Sequence, residues 1–85
     1  MKNEWLITFR SITFAQKAQW VLKRRNIGCT LQRTPKALTE RGCGYCLRLS
    51  GRDTVSALAV LGQEKLKYEK LYAVGEDGDM EERAL

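Results

Sequence analysis

Apolar residues follow two different periods along this chain, and the order in which those periods alternate limits the fold most. Trp5, Ile7 and Phe9 recur at every second position, which predicts a strand with those three side chains on one face. Phe14, Ala18, Val21 and Leu22 then recur at helical spacing. Ser11 or Thr13 can cap that helix, and Thr13 with Gln16 has the spacing of a capping box. Lys23, Arg24 and Arg25 place cations in its last turn, where they complement the helix dipole. Asn26 or Gly28 can end it, because both residues tolerate the left-handed backbone of a helix C-terminus.

Period two returns at Cys29 to Arg33 and is stopped by Thr34-Pro35, since proline cannot continue a central ladder. Lys36 to Arg41 has room for a single helical turn before Gly42-Cys43-Gly44. Tyr45 to Leu49 alternates again, with Tyr45, Leu47 and Leu49 on one face and Cys46 and Arg48 on the other. After a cap region at Ser50 to Asp53, Val55, Leu58, Ala59 and Gly62 form the stripe of a second helix ending at Gln63 or Glu64. Tyr68 to Val74 reads as a fourth strand.

Strand, helix, strand, strand, helix, strand is the order of an α+β, ferredoxin-like split βαβ sandwich. The expectation is a four-stranded antiparallel sheet with both helices on one face. The helix-covered face takes Trp5, Ile7, Phe9, Leu31, Tyr45, Leu47 and Leu49. The open face takes Thr8, Arg10, Thr30, Gln32, Cys46 and Arg48, a polar and basic surface. A chain of 85 residues allows one such domain, here residues 1–75, followed by an acidic C-terminal tail at 76–85. Glu76, Asp77, Asp79, Glu81 and Glu82 against Arg83 leave that tail at −4, so from +5 overall the body carries +9. A field of that sign favours anionic partners.

The longest apolar run, Ala57-Leu58-Ala59-Val60-Leu61, falls far short of the roughly 20 residues of a bilayer crossing. Met1-Lys2-Asn3-Glu4-Trp5 carries an acid and no long apolar stretch, so no secretory signal is expected and a reducing, cytoplasmic setting is the default. No membrane partner is expected. The chain has three cysteines and no histidine. It therefore lacks a Ser/His/Asp or Cys/His pair, and three thiolates are one short of a four-cysteine metal site. No resident metal or other cofactor is expected, and nothing points to a self-sufficient enzyme.

The strand alternation separates the three thiols. Cys29 shares a face with Leu31, toward the helices, and reads as a core residue opposite Leu49. Cys43-Gly44-Tyr45-Cys46 is a CxxC, with one thiol at a loop end and the other on the open face. Two thiols at that spacing can exchange a disulfide or pass on a bound sulfur species. Gly42 and Gly44 remove side chains on either side of Cys43, leaving its sulfur approachable. Arg41 and Arg48 lie close enough in sequence to favour the thiolate, the reactive form. The position of the motif matters too. The loop after the first strand, Phe9 to Thr13, has no cysteine where ferredoxin-like metal chaperones carry theirs, and this CxxC enters a strand, not a helix.

Thr34-Pro35-Lys36, Leu38-Thr39, Cys43-Gly44, Cys46 and Leu47-Arg48, with Phe9 and Ser11 before an alanine-rich helix ending in Leu22-Lys23, resemble the small bacterial family of selenium/sulfur carrier-like proteins. The resemblance covers nearly the whole chain. It implies that Cys43 accepts sulfur or selenium as a persulfide or selenium adduct, with Cys46 resolving it or sharing the load. Arg41, Lys36 and Arg48 would then stabilise the anionic chalcogen, and Thr34 and Pro35 would shape the loop that presents Cys43. The implied partners are sulfur or selenium donor and acceptor proteins. Two other readings stand beside it: a basic nucleic-acid-binding module, and a regulatory module binding metal through cysteines shared across a dimer. On the open face strand three shows Cys46 and Arg48 and strand one Leu6 and Thr8, none of them an aromatic for base stacking, which weighs against the first.

Overall fold

The computed structural model describes residues 4–38, 44–75 and 77–83. Its elements are strand β1 (Glu4–Phe9), helix α1 (Ile12–Arg24), strand β2 (Cys29–Arg33), a 3-10 turn (Lys36–Leu38), strand β3 (Tyr45–Ser50), helix α2 (Gly51–Gln63) and strands β4 (Lys70–Val74) and β5 (Met80–Arg83). The architecture is α+β: two helices and a five-stranded antiparallel sheet in the order β2-β3-β1-β4-β5.

The fifth strand corrects the four-stranded sheet expected from the alternation. Four residues of the stretch set apart as an acidic tail, Met80–Arg83, pair with Leu71 to Val74. Its alternation is hidden because Glu81, Glu82 and Arg83 are all exposed, leaving Met80 alone to mark an inner face. The turn before it is closed by Gly75 N–H donating to Asp79 O at 2.8 Å. Across the new edge, Lys70 Nζ lies 3.4 Å from a Glu82 carboxylate oxygen.

The main core lies between the helices and one sheet face. Ile7 and Phe9 of β1, Leu47 and Leu49 of β3 and Leu71 of β4 are buried there against Ala15, Ala18, Val21 and Leu22 of α1 and Ala57, Val60 and Leu61 of α2. Trp5, Leu31 and Tyr45 pack against the same cluster, so all seven side chains assigned inward by period two face the helices. Both helices thus cover one face. Pairing of Cys29 with Leu49 places the Cys29 thiol at the edge of this core, as its alternation requires.

The helices sit a little rotated from expectation. Ser11 caps α1, its Oγ accepting from Phe14 N–H at 3.3 Å, and Phe14 itself is 52% exposed. Small Ala15 takes the core position instead, letting the helix approach the sheet closely. Asn26 at φ 60° ends the helix, with Ile27 N–H donating to Leu22 O at 2.9 Å. Helix α2 begins at Gly51, capped by Ser50, rather than at Asp53. Its buried stripe is Thr54, Ala57, Val60 and Leu61; Val55, Ala59 and Gly62 are exposed, so the expected stripe was about one position out of phase.

Candidate functional site

The opposite sheet face is not open. Leu6 at 1% exposure, Cys46 at 0% and Tyr72 at 6% form a second buried cluster there, with Leu38, Val74 and Met80 packed against it. Thr8 is buried on the same face, its hydroxyl accepting from Lys70 N–H at 2.9 Å and donating to Lys70 O at 3.2 Å. The expected polar, basic surface survives in part: Thr30, Arg48 and Arg10 are exposed, whereas Thr8 and Cys46 are not. The cover comes from the 3-10 turn, which supplies Leu38, and from the β4–β5 hairpin, which supplies Tyr72, Val74 and Met80.

This placement corrects the expectation that Cys46 is a presented thiol. Its S–H points toward Arg33 O at 3.9 Å, between Gln32 of β2 and Thr8 of β1 in the sheet register. Burial pushes its pKa above the ordinary thiol range; the neighbouring Gln32 and Thr34 side chains and the Arg48 charge pull the other way without reversing the shift. Cys29 is likewise raised by burial, with Lys23 a smaller opposing influence. A thiol raised in this way is predominantly protonated at neutral pH and a poor nucleophile.

The remaining cysteine, Cys43, and its neighbours Arg41 and Gly42 lie outside the described residues, as does Thr39. The two ends of the segment that carries them are described. Thr34 N–H donates to Gly44 O at 3.1 Å, so the chain leaves β2 and returns to β3 across one backbone hydrogen bond. Pro35 O accepts from Leu38 N–H at 2.9 Å, turning the outgoing arm sharply. Lys36 is exposed at the start of that turn. Thr34 is buried, and among the described residues its Oγ1 has no hydrogen-bond partner. Thr34 and Pro35 therefore form the anchored base of the Cys43 segment.

Gly44 has a backbone reason to be glycine. Its φ is +125°, and an added Cβ would meet Phe9 O and Thr34 Oγ1 at 3.5 Å, ordinary contact distances. Space is not the obstacle; the backbone angle is. Gly44→Ala is expected to cost about 1–2 kcal/mol, read as a lower urea midpoint, and an unchanged midpoint would contradict the strained-return geometry.

Arg48 does not stand free beside the motif. Its Nε lies 3.9 Å from a Glu4 carboxylate oxygen, both side chains being partly exposed, and such a pair is worth little in stability. Arg33 is an exposed cation at the end of β2 that the motif-based reading did not single out. Its signal in the sequence was position: it immediately precedes Thr34-Pro35. The part of Leu38, Tyr72 and Met80 in the second cluster, to which Cys46 belongs, was also missed. Tyr72 and Val74 do alternate with Leu71 and Ala73, and that pattern marks a strand with both faces occupied.

Residues 4–73, which include β1 through most of β4 and the whole Cys43 segment, match the family model described as "Putative Se/S carrier protein-like". The chain belongs to that family. No curated protein and no solved structure matches it. In this Se/S carrier-like chain the matched region stops before β5, so the strand that helps close the second cluster lies outside the family match. No helix is long and apolar enough to cross a membrane among the described residues, and no three His, Cys, Asp or Glu side chains there are placed to share a metal ion.

Proposed function

We propose that the chain is a carrier of sulfur or selenium, not a self-sufficient enzyme, and that Cys43 is its acceptor thiol. Family membership across the Cys43 segment carries the reading. Burial of the other two thiols supports it: Cys46 is enclosed and Cys29 is half-buried at the core edge, both with raised pKa values. Of the three cysteines this leaves Cys43, between two glycines, as the nucleophile.

The transfer needs no net oxidation. The Cys43 thiolate attacks the outer sulfur of a donor protein's cysteine persulfide. As the new S–S bond forms, the donor's S–S bond breaks and the donor leaves as a thiolate. The outer sulfur keeps its oxidation state and any proton it holds. Delivery is the same exchange onto an acceptor thiolate, and an outer selenium atom moves in the same way. Lys36 is available to attract acidic partners, and Arg41 has the same role in this reading; Arg48 is held by Glu4. Cys46, expected as a resolving thiol, is better suited to staying out of the exchange. If it attacked loaded Cys43, a Cys43–Cys46 disulfide would form and the cargo would leave as sulfide.

The test is intact-mass analysis after exposure to a persulfide donor. An added mass of about 32 Da for sulfur or 79 Da for selenium, removed by thiol reductant, is expected in the parent and in Cys46→Ala, and absent from Cys43→Ser. Loading of Cys43→Ser equal to the parent's would end this reading.

A further inference from the structure

The helix layer carries an unusual surface on its outer side. Of the four large apolar side chains that are substantially exposed among the described residues, Ile12, Phe14 and Trp20 all belong to α1, and only Val55 belongs to α2. Isolated exposed apolar residues are ordinary, so the position of Trp20 is what matters. The α1 core stripe is Ala15, Ala18, Val21 and Leu22. At 100° per residue, Trp20 lies almost directly opposite the middle of that stripe. It is 59% exposed, in the centre of the solvent-facing side.

The helix around it carries cations and no acid of its own. Lys17, Lys23 and Arg24 flank Trp20 on the helix surface, and Arg25 follows at the C-terminus. No aspartate or glutamate occurs from Ser11 to Gly28. The Arg24 guanidinium carbon stands 4.7 Å from the Trp20 ring centroid, a cation–π contact on the helix surface. Beside Arg24 and Arg25 opens a groove of about 130 Å³ floored by Val21, where Arg25 Nη2 is 4.0 Å from Glu64 Oε2. That pair is long and half-exposed, so an incoming carboxylate can compete for the arginine.

We propose that this outer face of α1, centred on Trp20, is the docking surface for an acidic protein that gives or takes the cargo. The proposal rests on the carrier reading for the partner's role, not for its chemistry. Tryptophan and arginine together are the composition of a protein hot spot. A helix face with a run of cations and no acid of its own, bordered by the Glu64 carboxylate, favours a carboxylate-rich counterpart and speeds its approach. Single-stranded nucleic acid fits this face less well. It needs several ring faces for successive bases, and here one indole is present, already covered on one side by Arg24.

The test uses a fluorophore-labelled, cysteine-free, glutamate-rich peptide and, in parallel, a labelled oligothymidine, each titrated against the full chain at about 50 mM salt. The peptide is expected to bind, to lose at least about fivefold in affinity in Trp20→Ala and in Arg24→Glu, and to be unaffected by Arg33→Glu at the end of β2. Trp20 is exposed, so thermal midpoints matching the parent's will show that the variants fold. Binding of oligothymidine alone, binding of neither probe, or equal loss in Arg33→Glu and Arg24→Glu with none in Trp20→Ala would each overturn the proposal. Cys43→Ser is expected to bind the peptide as the parent does. Failure of sulfur loading with peptide binding intact therefore removes the carrier reading and leaves this surface standing.

Discussion

Cys46→Asp is expected to unfold the domain, or nearly so, while Cys46→Ala is expected to be mild. The thiol is fully buried in the cluster it forms with Leu6 and Tyr72, against which Leu38 packs. The Arg48 charge that acts on it is engaged with Glu4. Burying an ionised or protonated but unsatisfied carboxyl there costs on the order of 4 kcal/mol or more. A domain of this size has a total stability of about 4–13 kcal/mol. Alanine removes one sulfur atom and leaves a small cavity, costing roughly 1 kcal/mol.

The same pair of proteins tests the ionisation of the thiol. Because burial raises its folded pKa, the unfolded chain ionises first as pH rises. The stabilising contribution is thus complete below the unfolded thiol value and declines from about pH 8.5 upward. Cys29 acts in the same direction. Urea midpoints at neutral pH and near pH 10 should fall further in the parent than in Cys46→Ala. Equal falls would mean that the Cys46 thiol is not sequestered in solution.

The second large effect is expected from removing β5. A chain ending at Gly75 loses the pairing of Met80–Arg83 with β4, the Lys70–Glu82 contact and the Met80 side chain against the second cluster. Tyr72 and Val74 are then wetted. The loss is on the order of 2–3 kcal/mol, the value of about one buried apolar side chain. In thermal unfolding that is a drop of roughly 10 °C or more. Most of it comes from apolar contact, since the Lys70–Glu82 pair is exposed and weak. Glu82→Gln should therefore shift the midpoint by less than about 3 °C. A truncated chain as stable as the parent would show that β5 is an ornament on the edge, not a cover. A faster alkylation of Cys46 in the truncated chain would show that the cover also protects the thiol.

How much of this was legible beforehand depends on which interactions set each feature. The inward set Trp5, Ile7, Phe9, Leu31, Tyr45, Leu47 and Leu49 follows from period two alone, because alternation is a property of the strand itself. The helix ends were legible at Asn26 for the same local reason. The phase of α2 was not. Val55, Leu58 and Ala59 make as apolar a stripe as Thr54, Ala57, Val60 and Leu61, and the choice between them rests on the Thr54 hydroxyl donating to Ser50 O at 3.1 Å and on contact with α1. Strand β5 was hidden by its charge, which suits an edge that must discourage further pairing.

The sequence by itself determined the α+β order of elements from β1 to β4, the inward face of the sheet and the assignment of Cys29 and Cys46 to opposite faces. Each of these rests on backbone conformation or on neighbours a few positions apart. Only the tertiary structure decided that Cys46 is enclosed. Its alternation correctly turned it away from the helices, but what covers that second face comes from Leu38, eight positions upstream, and from Tyr72, Val74 and Met80, more than twenty downstream. Whether a strand face is wet depends on such distant segments folding over it, and local periodicity carries no record of them.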